Sequence, residues 1–504
     1  MIRKVIMFAE NNGDTFNFMK SASILRLSYM LRKEGYSVKQ VHNCLSFSAE
    51  EIEHILQTFS SGEEVLVCIS TSFLSTINKK NLTNLPDHEE GAAWGGEAFS
   101  FLERALPIFK KYNAPVMLGG WEIHPSKFKN PNNHKKWGIN FLKEYVDFFV
   151  MGSNIDVITR YCNNESLDYE TYFDCKLVTT SDIIDYTDCA STPIEEDHIF
   201  EGEALSTEIA AGCIFSCQFC NYAALGKKKT EYMRSFESFR RELISNYNNY
   251  KSRVYLFSDN IINDYEEKLK FVIRIREELG IDIRWSGYLR LDTIKNYDQA
   301  KLIAESGVAG VTFGIESFKK ETGPYIGKMT DKTKLLKSLE IFRKAVGDDC
   351  IVTGSFISGL PTETHTEVLE TYKWLQSSEG SELIDNYTFS TLTIFENQAE
   401  KNSINAARNN PFKDYTMIDK TPSNWVSPWG KSDIYRNLSR TFNRNRKSNI
   451  HGFSIPFLHN VGITAEEAVK LGRLHNREAE MEVYKKAEIV KEQRLKEYKS
   501  KMLL

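Results

Sequence analysis

The sequence is poor in the features that would take a chain out of the ordinary globular class. Its net charge is only -4 over 504 residues, which gives no global pull towards nucleic acid or an anionic membrane. No internal repeat or low-complexity tract stands out, which sets repeat architectures aside. The first residues, MIRKVIMFAENN, carry one basic pair and an apolar run that stops at Glu10. That run has the length of a buried strand and is too short for a signal sequence or a membrane span, so a cytoplasmic protein without a membrane partner is expected. Nine cysteines without a secretory segment do not read as a disulfide framework, because a reducing cytosol keeps thiols free. What is present is ordinary: 41% hydrophobic and 26% charged residues, in a chain longer than one core usually serves. Two large domains and a smaller appendage are the expectation.

The fold class reads as α/β. Up to about residue 165, short apolar runs alternate with segments of helical period. KVIMFA, SVKQVH, EVLVCIS, APVMLGG and VDFFVMG read as strands, separated by amphipathic helices such as SILRLSYMLRKEGY and EEIEHILQTF. Such alternation implies parallel pairing through right-handed crossovers, hence a doubly wound, Rossmann-like sheet that binds ligands at the carboxyl ends of its strands. Residues 166–203 are acidic and without sustained period, and read as a linker. From 204 to 400 a second series follows, with strands STEIAA, RVYLFSD, IDIRWSGYLR, GVAGVTFGIES, CIVTGSFISG and NYTFSTLTI between helices. These predict a partial or full parallel (β/α) barrel with its chemistry at the strands' C-terminal ends. Residues 401–504 read as a helical extension, with one long charged helix from Thr464 onwards, capped by Thr464 and Glu467.

Six cysteines, Cys44, Cys68, Cys162, Cys175, Cys189 and Cys350, are scattered and read as small buried hydrophobes. The other three lie together in AAGCIFSCQFCNYAALG, right after the STEIAA strand, where Cys213, Cys217 and Cys220 have the spacing CxxxCxxC. Soft thiolates bind iron–sulfur clusters well, and three ligands from one loop leave one iron of a cubane open to chelate a small molecule and pass it an electron. Zinc lacking one ligand is the bland alternative, but zinc usually takes a second close pair and none is visible.

This loop resembles the radical S-adenosylmethionine (SAM) superfamily, whose signature is CxxxCx(aromatic)C, with Phe219 as the aromatic. The resemblance covers about residues 204–400 and has four further parts. Ser258 and Asp259 in YLFSDNII match polar groups at the SAM amine. Arg290 in RWSGYLRLD matches an arginine near the SAM carboxylate or the substrate. Gly314, Glu316 and Ser317 in FGIESF match the segment whose acidic residue reaches the ribose. Gly354, Phe356, Gly359 and Glu363 in GSFISGLPTET match the strand that pairs with the adenine. Lys328, in YIGKMT, falls where relatives carry a lysine, and reads by itself as a solvated side chain.

Residues 1–165 resemble the cobalamin-binding domain that precedes the barrel in one branch of that superfamily. The matching places are Ser70 and Thr71, Gly119 and Gly120 followed by His124, and Gly152. The first loop, AENNGDTFN, has no DxHxxG segment, so no histidine ligand to cobalt is expected and His124 is not assigned to it. The alternative is a domain of this fold that only supports the barrel. Together the resemblances imply a four-iron four-sulfur cluster, SAM and, if the first domain binds it, cobalamin. They imply reductive cleavage of SAM to a 5′-deoxyadenosyl radical for methylation of an unactivated carbon in a small-molecule or peptide substrate, with an external electron donor such as flavodoxin or ferredoxin. A cobalamin-independent rearrangement or cyclisation and a non-enzymatic iron–sulfur redox protein are the alternatives. The arginine run Arg436, Arg440, Arg444, Arg446 and Lys447 reads as a solvated helical face, so a nucleic-acid partner is not expected. WVSPWG, with Trp425 and Trp429, reads equally as a lid or as interdomain packing.

Overall fold

KVIMFA forms β1 (Lys4–Ala9) and is buried on both faces, which explains its unbroken apolar run. Ile6 and Phe8 enter one core with Val67, Phe101 and Phe109, while Val5 and Met7 enter another with Ile24, Leu31 and Leu66. β2 (Ser37–Val41), β3 (Val65–Ser70), β4 (Val116–Gly119) and β5 (Phe148–Met151) follow, each preceded by helix: Ala22–Lys33, Ala49–Ser60, Gly95–Lys111 and Ile139–Leu142. The sheet order is β2-β1-β3-β4-β5, extended by β7 (Cys175–Thr179) and β6 (Glu170–Tyr172), and every pair is parallel except β6 with β7. The order reverses between β1 and β3, where open α/β sheets form a ligand crevice at the carboxyl ends. Ala9 and Ser70 are paired at that point.

This architecture is drawn from a computed structural model that describes residues 1–10, 19–71, 95–120, 123, 128, 134, 137–151, 155–179, 186–220, 232–394, 412–418 and 424–504. The chain divides into two units, one of residues 1–201, 248–250 and 489–504, the other of 202–247 and 251–488.

In the second unit β8 (Leu205–Thr207), β9 (Val254–Phe257), β10 (Arg284–Leu289), β11 (Val308–Glu316), β12 (Ile351–Ser358) and β13 (Asn386–Thr391) pair in sequence order, all parallel. Among the described residues β8 and β13 each have one strand neighbour, so the expected barrel is a partial one. The helix Ser432–Arg444 covers the β13 edge, where Asn443 Oδ1 accepts from Phe389 N at 2.9 Å and Asn443 Nδ2 donates to Phe389 O at 2.8 Å.

Two expectations are corrected. Residues 170–179, read as linker, form the hairpin β6–β7, because the adjacent Leu177 and Val178 bury on opposite faces of the sheet and let β7 join β5. The stretch after Thr464 is two helices, Ala465–Arg473 and Arg477–Met502. The break falls where His475 adopts a left-handed φ of 50° and Asn476 Oδ1 accepts from Ala479 N at 3.2 Å, starting a new helix. Thr464 and Glu467 form the expected capping box. No helix among the described residues is long and apolar enough to cross a membrane.

Candidate functional site

The cysteine loop begins where β8 ends, and its base is clamped. The backbone N–H groups of Ile209 and Ala210 donate to the Asp259 carboxylate at 2.8 and 2.9 Å. Lys268 Nζ lies 3.1 Å from Asp259 Oδ1 and 2.8 Å from Asp264 Oδ1, and all three side chains are almost fully buried. Burial pushes the Asp259 carboxyl up to about 6, against the lowering influence of Lys268. On the other side Arg234 N donates to Ile209 O at 2.8 Å and Ala211 N to Tyr232 O at 3.0 Å. Gly212, at φ 80°, then turns the chain into the loop, a backbone region open to glycine.

Within the loop Cys213 Sγ accepts from Phe215 N at 3.5 Å, Cys220 N donates to Cys217 O at 3.1 Å, and Gln218 N donates to Ile326 O at 3.0 Å. Cys217 is buried, while Cys213 and Cys220 are half-buried. Burial raises the Cys213 thiol, the Phe215 N–H works against it, and Asp264, Cys217 and Cys220 add to the rise as like charges nearby. Among the described residues no set of three or more His, Cys, Asp or Glu converges as ligands of one metal ion. A single zinc needs its thiolates about 2.3 Å from one centre, whereas cluster thiolates each take a different iron. Three soft sulfur donors on one loop are the donor chemistry that iron–sulfur clusters take. The six scattered cysteines are all buried, and burial pushes Cys162 and Cys175 up to about 11 and Cys350 up to about 12, as inert core thiols.

The remaining matched residues fall at the carboxyl ends of β9 to β12, except Gly354, which lies midway along β12. Ser258 is exposed, next to the buried Asp259, whose two oxygens are both engaged by the loop base. Arg290 follows β10; its Nε and Nη2 donate to Asp292 at 2.6 and 2.9 Å, and its Nη1 donates to Cys217 Sγ at 3.2 Å. Glu316 ends β11 at a register shift, with a left-handed φ of 68°, a strained position for a residue with a side chain. Its carboxylate is 2.8 Å from Lys328 Nζ, with both side chains 8% exposed. This corrects the expectation of a solvated Lys328: the chain has folded it inwards onto a buried carboxylate. A Cβ on Gly314 would stand 2.6 Å from Glu316 Oε1 and 2.9 Å from Lys328 Nζ, so glycine there keeps room for the pair. Phe219 lies with its ring 6.0 Å from the same ammonium.

Ser317 Oγ donates to Glu363 Oε1 at 2.5 Å, while Glu363 Oε2 is buried without a hydrogen-bond partner. Burial pushes Glu363 up to about 8, partly offset by Ser317. Gly354 is hemmed in by Phe356, Ile315 and Ile384, and Phe356 stacks on Phe389 at 5.1 Å. Gly359, at φ +85°, is covered by Trp425, whose Nε1 donates to Leu392 O at 2.9 Å. Trp425 is fully buried, with Tyr415 and Tyr435 against its ring.

In the first unit Ser70 and Gly119 are register partners at the ends of β3 and β4. Thr71 N and Oγ1 both donate to Gly119 O, at 2.7 and 3.0 Å, and Gly120 takes a φ of 116°. Gly152 and His124 lie outside the described residues. Sequence reasoning missed Asp292 and Lys268. Asp292 was visible two residues after Arg290, as an acid able to occupy that arginine; nothing in the sequence marked Lys268 as buried.

Residues 207–375 match the radical SAM superfamily. An uncharacterised methyltransferase from Pyrococcus horikoshii is 31% identical over 164 residues, 32% of this chain and 34% of that protein. The chain thus spans about a third of the length of this curated relative. A solved structure of TsrM, a radical SAM methyltransferase from Kitasatospora setae with cobalamin and an iron–sulfur cluster bound, aligns with TM-score 0.57 and 14% identity over 84% of this chain and 82% of that one. OxsB, a cobalamin-dependent SAM radical enzyme solved with aqua-cobalamin and SAM, aligns with TM-score 0.58 and 14% identity over 87% and 66%. At such identities the likeness is one of fold.

Proposed function

We propose, from the match of residues 207–375 to the radical SAM superfamily, that the chain is a radical SAM enzyme that methylates an unactivated carbon with cobalamin as its methyl carrier. The observation that carries the reading is the thiolate loop of Cys213, Cys217 and Cys220 at the carboxyl end of β8, clamped by Asp259 and flanked by the buried Glu316–Lys328 pair. When bound, a cluster on those thiolates supplies one electron to the SAM sulfonium, giving methionine and a 5′-deoxyadenosyl radical. The chain's own residues bind and orient. Glu316 presents a carboxylate to the ribose hydroxyls, and Lys328 Nζ, 2.8 Å away, aims it. Ser258, exposed after β9, is placed to meet the amine, and the ends of β11 and β12 lie where the resemblance puts the adenine. In the first unit Ser70, Thr71, Gly119 and Gly120 mark the strand ends where cobalamin would lie, with no protein imidazole from the first loop. The substrate is a small molecule or peptide, and the electron comes from an external carrier.

Anaerobic reconstitution tests the reading. The full chain should take up four irons, and Cys213→Ala, Cys217→Ala and Cys220→Ala should each lose the cluster while Cys350→Ala keeps it. Dithionite-reduced protein should release 5′-deoxyadenosine from SAM, and a cobalamin titration should saturate at one per chain. Full iron retention in the triple cysteine variant would refute the cluster. An intact cluster with no cobalamin uptake would leave a cobalamin-independent radical reaction in its place.

A further inference from the structure

Arg290 stands where the sequence leads one to expect a partner for the SAM carboxylate. A guanidinium grips a carboxylate through two parallel donors. Here one such edge is already spent, since Nε and Nη2 both donate to Asp292. The remaining nitrogen, Nη1, donates to Cys217 Sγ at 3.2 Å. The Phe215 ring, inside the cysteine loop, lies 3.9 Å from the guanidinium carbon and fixes its plane. The backbone is held as well: Arg290 N donates to Asn263 Oδ1 at 2.8 Å, and Asn263 Nδ2 donates to Arg290 O at 2.9 Å. The arginine is 6% exposed, so water hardly competes for these bonds.

We infer that the Arg290–Asp292 pair is a positioning device that sets the reduction potential of the cluster through the Cys217 sulfur, and is not the grip on the SAM carboxylate. The inference rests on the cluster reading above. Hydrogen bonds to ligand sulfurs and nearby charge are main determinants of such potentials. The pair is a fixed dipole with its positive end on the thiolate. It stabilises the reduced cluster, which carries one more negative charge. Asp292 does two jobs: it aims Nη1 at the sulfur and moderates the positive charge there.

The sign of the effect in two variants tests this without any turnover assay. Full-length protein is reconstituted anaerobically, iron is counted per chain, and the midpoint is read by EPR-monitored titration alongside SAM affinity. Arg290→Gln removes the cation and should lower the midpoint, about tenfold in the reduction equilibrium or about 59 mV for one electron. Asp292→Asn keeps the guanidinium but removes its counter-charge and should raise the midpoint. SAM affinity should stay as in the wild type. Midpoints unmoved in both variants, or a loss of SAM affinity in Arg290→Gln with an unchanged midpoint, overturn the inference and return Arg290 to the SAM carboxylate. If Arg290→Gln takes up too little iron to titrate, Asp292→Asn decides alone: a raised midpoint supports the inference, and an unchanged or lowered one overturns it. Wild-type protein that assembles no cluster would instead defeat the proposed function.

Discussion

Glu316 and Lys328 show how a side chain that looks like surface in a sequence can be part of a site. The resemblance picked out Lys328 in YIGKMT, but by residue type it reads as a solvated lysine; only the fold brings it 2.8 Å from a carboxylate twelve residues back. Removing one partner of a buried pair strands the other charge, which typically costs about 3–5 kcal/mol. Lys328→Met should therefore lower the unfolding free energy by about that much, while Glu316→Gln with Lys328→Met together should recover much of it. A double-mutant cycle in denaturant measures the coupling, and additive losses would show that the pair does not act as one. Glu363 gives a pH test whose sign is fixed. Its folded pKa is raised from 4.5 to about 8 by burial, so between those values the folded chain holds a proton that the unfolded chain has released. The stability it contributes is present at acid pH and is lost as pH rises towards 8, with a slope of at most about 1.4 kcal/mol per pH unit. Glu363→Gln, which mimics the neutral acid, should remove that slope. Identical pH dependences for variant and wild type between pH 5.5 and 8 would show that Glu363 is ionised throughout.

The strands were the most readable part of the sequence, because a strand buried on both faces must be apolar along its buried length, as VIMFA and VLVCI are. β8 was readable in place but not in extent: STEIAA is shorter as a strand, Leu205–Thr207, since Ile209 and Ala210 turn their N–H groups to Asp259 and not to β9. The β6–β7 hairpin was hidden by the acidic residues around it, and its two positive-φ turn residues, Phe173 and Asp174, carry no glycine to announce the turn. Among the site residues the three cysteines were legible by spacing. The place of Asp259 was legible, but its role as the clamp under the loop required coordinates. Asp259→Ala would leave two buried N–H groups without their acceptor, at about 1–3 kcal/mol each, and would take one of the two carboxylates from Lys268. Reconstituted Asp259→Ala should therefore hold less iron per chain than the wild type, although every cysteine remains. Equal iron content and equal resistance to chelators would place the loop's rigidity elsewhere.

The two ends of the chain belong to one unit, which no periodicity could reveal, since the terminal helix reads as charged and solvated. Residues 489–504 join the N-terminal sheet, with Tyr498 and Met502 in the core around Phe8 and Phe101. Tyr498 is 1% exposed, its hydroxyl accepts from His42 N at 3.0 Å, and its ring meets Phe47 edge-on at 6.4 Å. Lys499 Nζ adds a bond to Ser46 O at 2.8 Å and an ion pair with Glu51 at 2.7 Å. These contacts hold the segment that follows β2, at the same carboxyl end as the β1–β3 switch point. Replacing a buried aromatic by alanine typically costs about 3–5 kcal/mol, and here His42 would also lose its acceptor. Tyr498→Ala should thus loosen the first unit from a site almost at the opposite end of the sequence. Hydrogen exchange should quicken in peptides covering residues 37–60, while peptides of β10 to β12 and the iron content of the cysteine loop stay as in the wild type. Cobalamin affinity, if the first unit binds it, should fall with the loss of protection. Unchanged exchange in residues 37–60 would mean that the terminal helix merely rests on the sheet; equal loosening of β10 to β12 would mean that the two units melt as one.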